Sequence, residues 1–245
     1  MTEDEVHKMA AVESSHWWYR GMREIFFTML APHVEGRGPL RILDIGCGTG
    51  GNLVGLSALG DARGVDIDPL CVDYCRQKGL NCAVASMLDL NEPPASLELV
   101  TLFDVLTQAE GRDLDRILSG IAEALAPGGL LAFRETAMPM AAGAHDRAVG
   151  VLHRFTKPGL VSMLKRAGFE PQRVTYVNSL LFPSIVLARR LQDILRPDHA
   201  ESDVQPTFGL LNAALLSVLR LERRLLRVTD LPFGVSIFGV ARKVS

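Results

Sequence analysis

Short apolar runs of strand length alternate with stretches in which apolar residues recur every three or four positions, and this alternation continues from about residue 40 to the C-terminus. Ahead of it, a polar helical lead to about Ala11 precedes a helical stripe through Met22, Ile25, Phe26, Met29 and Leu30, which Pro32 and Gly36 are expected to end. Strand patterns fall at 41–45, 62–66, 81–85, 97–103, 130–135, 174–177 and 235–241. The run 97–103 is almost wholly apolar, as a central strand buried on both faces requires. Helical patterns lie between the strands: one through Leu53, Val54, Leu56 and Leu59, one at 69–78 stopped by Gly79, one at 112–125 stopped by Ala126-Pro127-Gly128-Gly129, and one capped by Thr156 and stopped by Gly168. Strand and helix in alternation predict an α/β chain with a mainly parallel, doubly wound sheet.

The first strand runs straight into Gly46-Cys47-Gly48-Thr49-Gly50-Gly51-Asn52. A strand that turns sharply into a helix presents free backbone N–H groups, and glycines let a ligand approach them closely. Gly46, Gly48 and Gly51 fit the G-x-G-x-x-G of dinucleotide enzymes, while Asp44, Gly46, Gly48 and Gly50 fit D-x-G-x-G. An acid two residues before the first glycine crowds a pyrophosphate but suits a cationic or amino-acid-bearing ligand. Asp66 stands about twenty residues further on at a strand end, where an acid accepts hydrogen bonds from ribose hydroxyls.

The stretch Leu43-Asp44-Ile45-Gly46-Cys47-Gly48-Thr49-Gly50 resembles the first motif of the class I S-adenosylmethionine (SAM) methyltransferases. That resemblance implies SAM as cofactor, S-adenosylhomocysteine as its product, and a seven-stranded Rossmann-like sheet of order 3-2-1-4-5-7-6 whose last strand is antiparallel. It implies cofactor contacts at Asp44, Gly46, Cys47, Gly48, Gly50, Asp66, Ile67 and Phe103. The adenine loop would be 86–90, with Met87 and Leu88 as contacts; Ser86 and Leu88 stand where the family often has an acid. His16-Trp17-Trp18-Tyr19-Arg20 is similar to a segment that closes over the cofactor in small-molecule methyltransferases, with Trp18 and Arg20 toward the cofactor and Tyr19 and His16 at the mouth. Gln108 replaces the histidine of D-V-L-E-H and is a candidate substrate contact. The motif of nucleic-acid amino-methyltransferases is missing after the fourth strand, and Asn91-Glu92-Pro93-Pro94 reads as a turn.

A formal charge of −2 and a pI near 6.3 give no electrostatic footprint for nucleic acid. The 245 residues suffice for one large domain, or for one domain with a cap. The four cysteines form no C-x-x-C pair; Cys71 and Cys75 could share a helix face, but nothing nearby completes a metal site. Idle thiols suit a reducing cytoplasm, the expected location. The first sixteen residues are polar and acid-rich, unlike a secretory signal, and no apolar run is long enough to span a bilayer.

The expected division is an N-terminal helical lid at 1–38, a SAM-binding domain at 39–177 and 235–245, and a helical insertion at 178–234. The insertion carries two amphipathic helices, 180–195 split by Pro183 and 208–228 with Leu211, Leu215, Leu219 and Leu226 facing one way, joined by the linker 196–206. Its leucine-rich faces fit a cap over a greasy acceptor, a homodimer interface, or a helix lying on an anionic membrane. Methyl transfer needs no catalytic triad. If a base is used, His145 or His153 in the loop after the fifth strand is the candidate, with His145 also a substrate contact. The expected function is methylation of a small, lipophilic or secondary-metabolite acceptor. The alternatives are a SAM-binding cyclase on the same scaffold and a membrane-surface or partner-binding module.

Overall fold

The computed structural model describes residues 2–143, 146, 149–195, 207 and 209–244, without the side chains of 192–194. Helices α1 (Glu3–Val12) and α2 (Trp17–Val34) lead into β1 (Leu40–Ile45), α3 (Leu53–Leu56), β2 (Gly60–Asp66), α4 (Pro69–Gln77) and β3 (Cys82–Val84). There follow β4 (Leu97–Phe103), a 3₁₀ turn (Leu106–Gln108), α5 (Leu114–Ala124), β5 (Leu125–Thr136), α6 (Lys157–Arg166) and β6 (Phe169–Val177). The insertion contributes α7 (Phe182–Leu195) and α8 (Gly209–Leu225) before β7 (Ser236–Lys243). His145, the linker 196–206 and Phe208 lie outside the described residues.

One seven-stranded sheet has the order β3-β2-β1-β4-β5-β7-β6, with β7 antiparallel to both neighbours and the remaining pairs parallel. Successive strand residues serve opposite faces. Leu43, Val100, Leu131 and Phe133 pack with Ile117 and Ile121 of α5 and Leu164 of α6 on one side, whereas Ile42, Leu99, Leu130 and Ala132 pack with α2, α4 and α8 on the other. Two covered faces explain why the central strands are apolar throughout.

Three local expectations are corrected. Pro32 does not end α2; it sits inside the last turn, and the helix closes at Val34. Pro183 does not split its helix either, because in the first turn of α7 a missing N–H costs nothing. Leu211 is 61% exposed rather than turned inward with Leu219 and Leu226.

The two insertion helices do different work. α8 braces α2: Gly21 approaches so closely that a Cβ there would stand 2.4 Å from Leu219 Cδ1, and Arg220 and Arg223 both donate to the Glu24 carboxylate. Glu222, fully buried on α8, accepts the backbone N–H groups of Asn178, Ser179 and Leu180, the last two at 2.7 and 2.9 Å. That clasp fixes the exit from β6, where Asn178 has a φ of +58°. α7 instead lies over the carboxyl ends of the strands against Pro139–Ala141, with Arg189 Nη1 donating to the carbonyl of Ala141 at 2.5 Å.

Candidate functional site

The glycine turn is anchored from both sides. The N–H groups of Gly46 and Cys47 donate to the Val65 carbonyl at 2.8 and 3.0 Å, which locks the end of β1 to β2. Gly46 has a φ of +68°, and a Cβ there would meet Val105 Cγ2 at 2.4 Å, so backbone geometry and space both require glycine. Asp66 closes β2 beside this turn; Oδ2 accepts from Gly48 N at 2.8 Å and Oδ1 from Asp68 N at 2.9 Å. Burial raises its carboxyl above the usual range, opposed by those backbone hydrogen bonds. Beneath the turn, Asp44 is fully buried; Oδ1 accepts from the Thr101 hydroxyl at 2.6 Å and Oδ2 has no partner. Loss of water pushes the Asp44 carboxyl up to about 7 against the Thr101 hydrogen bond.

A cavity of about 780 Å³ opens at this edge of the sheet, astride the reversal of strand order between β1 and β4. That is where open α/β sheets bind ligands, and its size suits a small-molecule site. Of the residues singled out from sequence, Gly46, Cys47, Gly48, Asp66, Ile67, Met87, Leu88, Phe103, Trp18, Tyr19, Gln108 and His16 all border it. The β2–β3 side brings Asp66, Ile67 and the 86–88 loop, and the other side brings Thr136, Val235 and, from α7, Ile185 and Ala188.

Other expected contacts lie elsewhere. Asp44 sits below the floor, and Gly50 faces Leu80 and Cys75. Arg20 does not border the cavity. His153 is also displaced: its ring packs edge-on against Phe155 at 4.8 Å, its Nε2 is buried without a partner, and burial lowers its pKa. An imidazole base at His153 is therefore not supported by position, and His145 is among the residues not described.

Residues 42–129 match a family model described as a methyltransferase domain. No curated protein matches the chain. Among solved structures, a SAM-dependent methyltransferase from Mesorhizobium loti is 20% identical over 89% of this chain and 98% of its own, with a TM-score of 0.59. One from Archaeoglobus fulgidus is 16% identical over 91% and 94%, with a TM-score of 0.61. The [4+2]-cyclase SpnF is 20% identical over 88% and 78%, with a TM-score of 0.55. The fold is that of the class I methyltransferases, and the cofactor that goes with this family and fold is SAM.

The cavity has groups that fit that cofactor. Each Asp66 oxygen takes one backbone N–H and keeps acceptor capacity for a ribose hydroxyl. Ile67, Met87 and Leu88 supply an apolar surface for a flat ring. α1 and the start of α2 line this part of the cavity with Met9, Trp17 and Trp18. Glu13 and Arg23 hold that lining down: Glu13 pairs with Lys78, while Arg23 donates to the carbonyls of Gly51 and Glu13.

Sequence reasoning passed over the end of β5. Arg134 borders the cavity, pairs with Asp104 of the loop after β4, and has its guanidinium 5.8 Å from the Trp18 ring and 5.7 Å from that of Phe103. Asp104 adopts a φ of +58°, and its Oδ1 is buried without a partner. Glu135 points to the opposite face and accepts the N–H groups of Val105, Leu106 and Thr107 at 3.1–3.2 Å, which shapes the turn carrying Gln108. The available signal was two adjacent charges ending an apolar central strand. The cysteines also converge more than their spacing suggested. Cys47, Cys75 and Cys82 bring three buried sulfurs together, with Cys47 Sγ 3.9 and 4.0 Å from the other two, while Cys71 borders the cavity instead.

Proposed function

We propose that this protein is an enzyme that uses SAM to methylate a small, lipophilic acceptor on oxygen, nitrogen or carbon. The observation that carries this reading is a single cavity joining the glycine turn and Asp66 to an apolar wall formed by Val151, Ile185, Ala188 and Val235. The cofactor supplies a sulfonium methyl for in-line displacement. The chain binds, orients and dries. Asp66 accepts the ribose hydroxyls, and the helical cover excludes water.

Asp104 is held by Arg134 through Oδ2, leaving Oδ1 to accept a hydrogen from an amine or hydroxyl. Tyr19 is pushed above its ordinary pKa, chiefly by burial, so it keeps its proton and serves as a hydrogen-bond donor at the cavity. With His153 off the cavity, the chain acts on an acceptor that needs orientation more than a strong base. Four free, buried cysteines support action in a reducing cytoplasm.

The likeness to SpnF favours one alternative, a cyclisation that uses the cleft without methyl transfer. Calorimetric titration with SAM, followed by mass analysis of a panel of apolar acceptors, separates the two. Products heavier by one methylene with release of S-adenosylhomocysteine support methylation, and isomers of unchanged mass support cyclisation. Absence of SAM binding would refute both.

A further inference from the structure

Among the described side chains of α7, a row of leucines is left exposed. Leu187, Leu191 and Leu195, spaced one turn apart, are 60%, 48% and 76% exposed. The other side of the same helix buries Phe182 and Arg189 and places Ile185 and Ala188 on the cavity wall. Isolated exposed leucines are ordinary on a protein surface. This row is not isolated, because it continues into a shallow second concavity of about 460 Å³ formed by Phe182, Pro183, Val186, Leu187, Arg190 and Phe233. The rings of Phe182 and Phe233 lie 5.5 Å apart in it.

Arg190 is the one charged residue among the described residues of that concavity; it is exposed, and its Nη2 donates to the Met140 carbonyl at 3.3 Å. An apolar trough with a guanidinium at its rim has the polarity of an anionic amphiphile in reverse: hydrocarbon along the trough, phosphate on the arginine. A second copy is a poorer match. Two-fold pairing would lay the same guanidinium against itself, and no acid is among the described residues that line the concavity. No helix among the described residues is long and apolar enough to cross a membrane, so the contact is with a surface.

We propose that this face of α7 docks on an anionic lipid bilayer, with its leucines among the acyl chains and Arg190 at the phosphates. Docking would bring the cavity wall formed by the same helix to the bilayer, a source of lipophilic acceptor. That consequence rests on the methylation reading; the docking itself does not.

Flotation of the full chain with vesicles of phosphatidylcholine, alone or mixed with phosphatidylglycerol, tests it. The protein should float with the mixed vesicles, less with the neutral ones, and less again at high salt. Leu187→Ser/Leu191→Ser should lower partitioning at least about tenfold, and Arg190→Glu should remove the preference for phosphatidylglycerol. Neither variant should alter circular dichroism or SAM affinity, which shows that the fold and cofactor cleft are intact. Failure to float, or equal flotation of wild type and the leucine variant, would overturn the proposal. A dimer dissolved by the leucine substitutions, with no flotation, would also overturn it and assign the face to a second copy. Flotation with no methylated product would sink the methylation reading and leave docking standing.

Discussion

Replacing Asp44 by Asn should remove a pH dependence of stability while leaving cofactor affinity nearly unchanged. The folded-state pKa of this carboxyl rises from 3.8 to about 7, because burial outweighs the Thr101 hydrogen bond. Between those values the native protein keeps the proton and the unfolded chain releases it. The stability contribution is therefore fully present below the unfolded pKa and is lost as pH rises through the folded one. At 1.36 kcal/mol per pH unit, the span amounts to about 4 kcal/mol as an upper bound. Asn mimics the protonated carboxyl: its oxygen can still accept from Thr101, and its amide takes the position of the partnerless Oδ2.

Wild type and variant should therefore agree within about 1 kcal/mol near pH ~4, and the variant should become the more stable by up to about 4 kcal/mol near pH ~8. Urea unfolding across that range reads the difference, and the other raised carboxyls, Asp66, Glu135 and Glu222, cancel between the two proteins. Parallel pH profiles would refute the reasoning. Asp44 does not border the cavity, so SAM affinity should fall less than about tenfold, under 1.4 kcal/mol. A much larger fall would return Asp44 to the ligand contacts.

Asp66→Ala removes the acceptor for Gly48 N–H and Asp68 N–H and, on the proposed reading, for the ribose. It should weaken SAM binding by about 1–3 kcal/mol, and wild-type affinity by calorimetry would exclude Asp66 from the site. Trp17 and Trp18 are the only tryptophans and both border the cavity. SAM should therefore shift intrinsic emission and slow tryptic cleavage at Arg20; unchanged fluorescence and cleavage would mean that this cover is static packing. Glu222→Ala leaves three backbone donors without their acceptor and should cost about 3 kcal/mol, read as a lower melting temperature. An unchanged melting temperature would show that the clasp is dispensable.

Local chemistry made much of the molecule legible from sequence. The period of the apolar residues placed the strands, because a sheet covered on both faces needs unbroken apolar runs at its centre. Glycines at Gly46 and Gly48 with an acid at Asp66 marked the strand ends at which the cavity opens, since close backbone approach and paired acceptors each demand particular residue types. These constraints act within one turn or one strand end, so the linear chain carries them.

Tertiary structure decided whatever depends on which elements meet. The Asp104–Arg134 pair joins the loop after β4 to the end of β5, and the three clustered thiols come from the turn after β1, from α4 and from β3. Glu222 is one acid in an arginine-rich helix until the fold brings it to Asn178, Ser179 and Leu180, forty-odd residues away. The leucines of the insertion show the same limit. Periodicity gave both helices an apolar side, but only packing separated Leu219, sealed against Gly21, from Leu187 and Leu191, left facing outward. Burial of an apolar side chain depends on the surface opposite it, and the chain's own periodicity does not contain that surface.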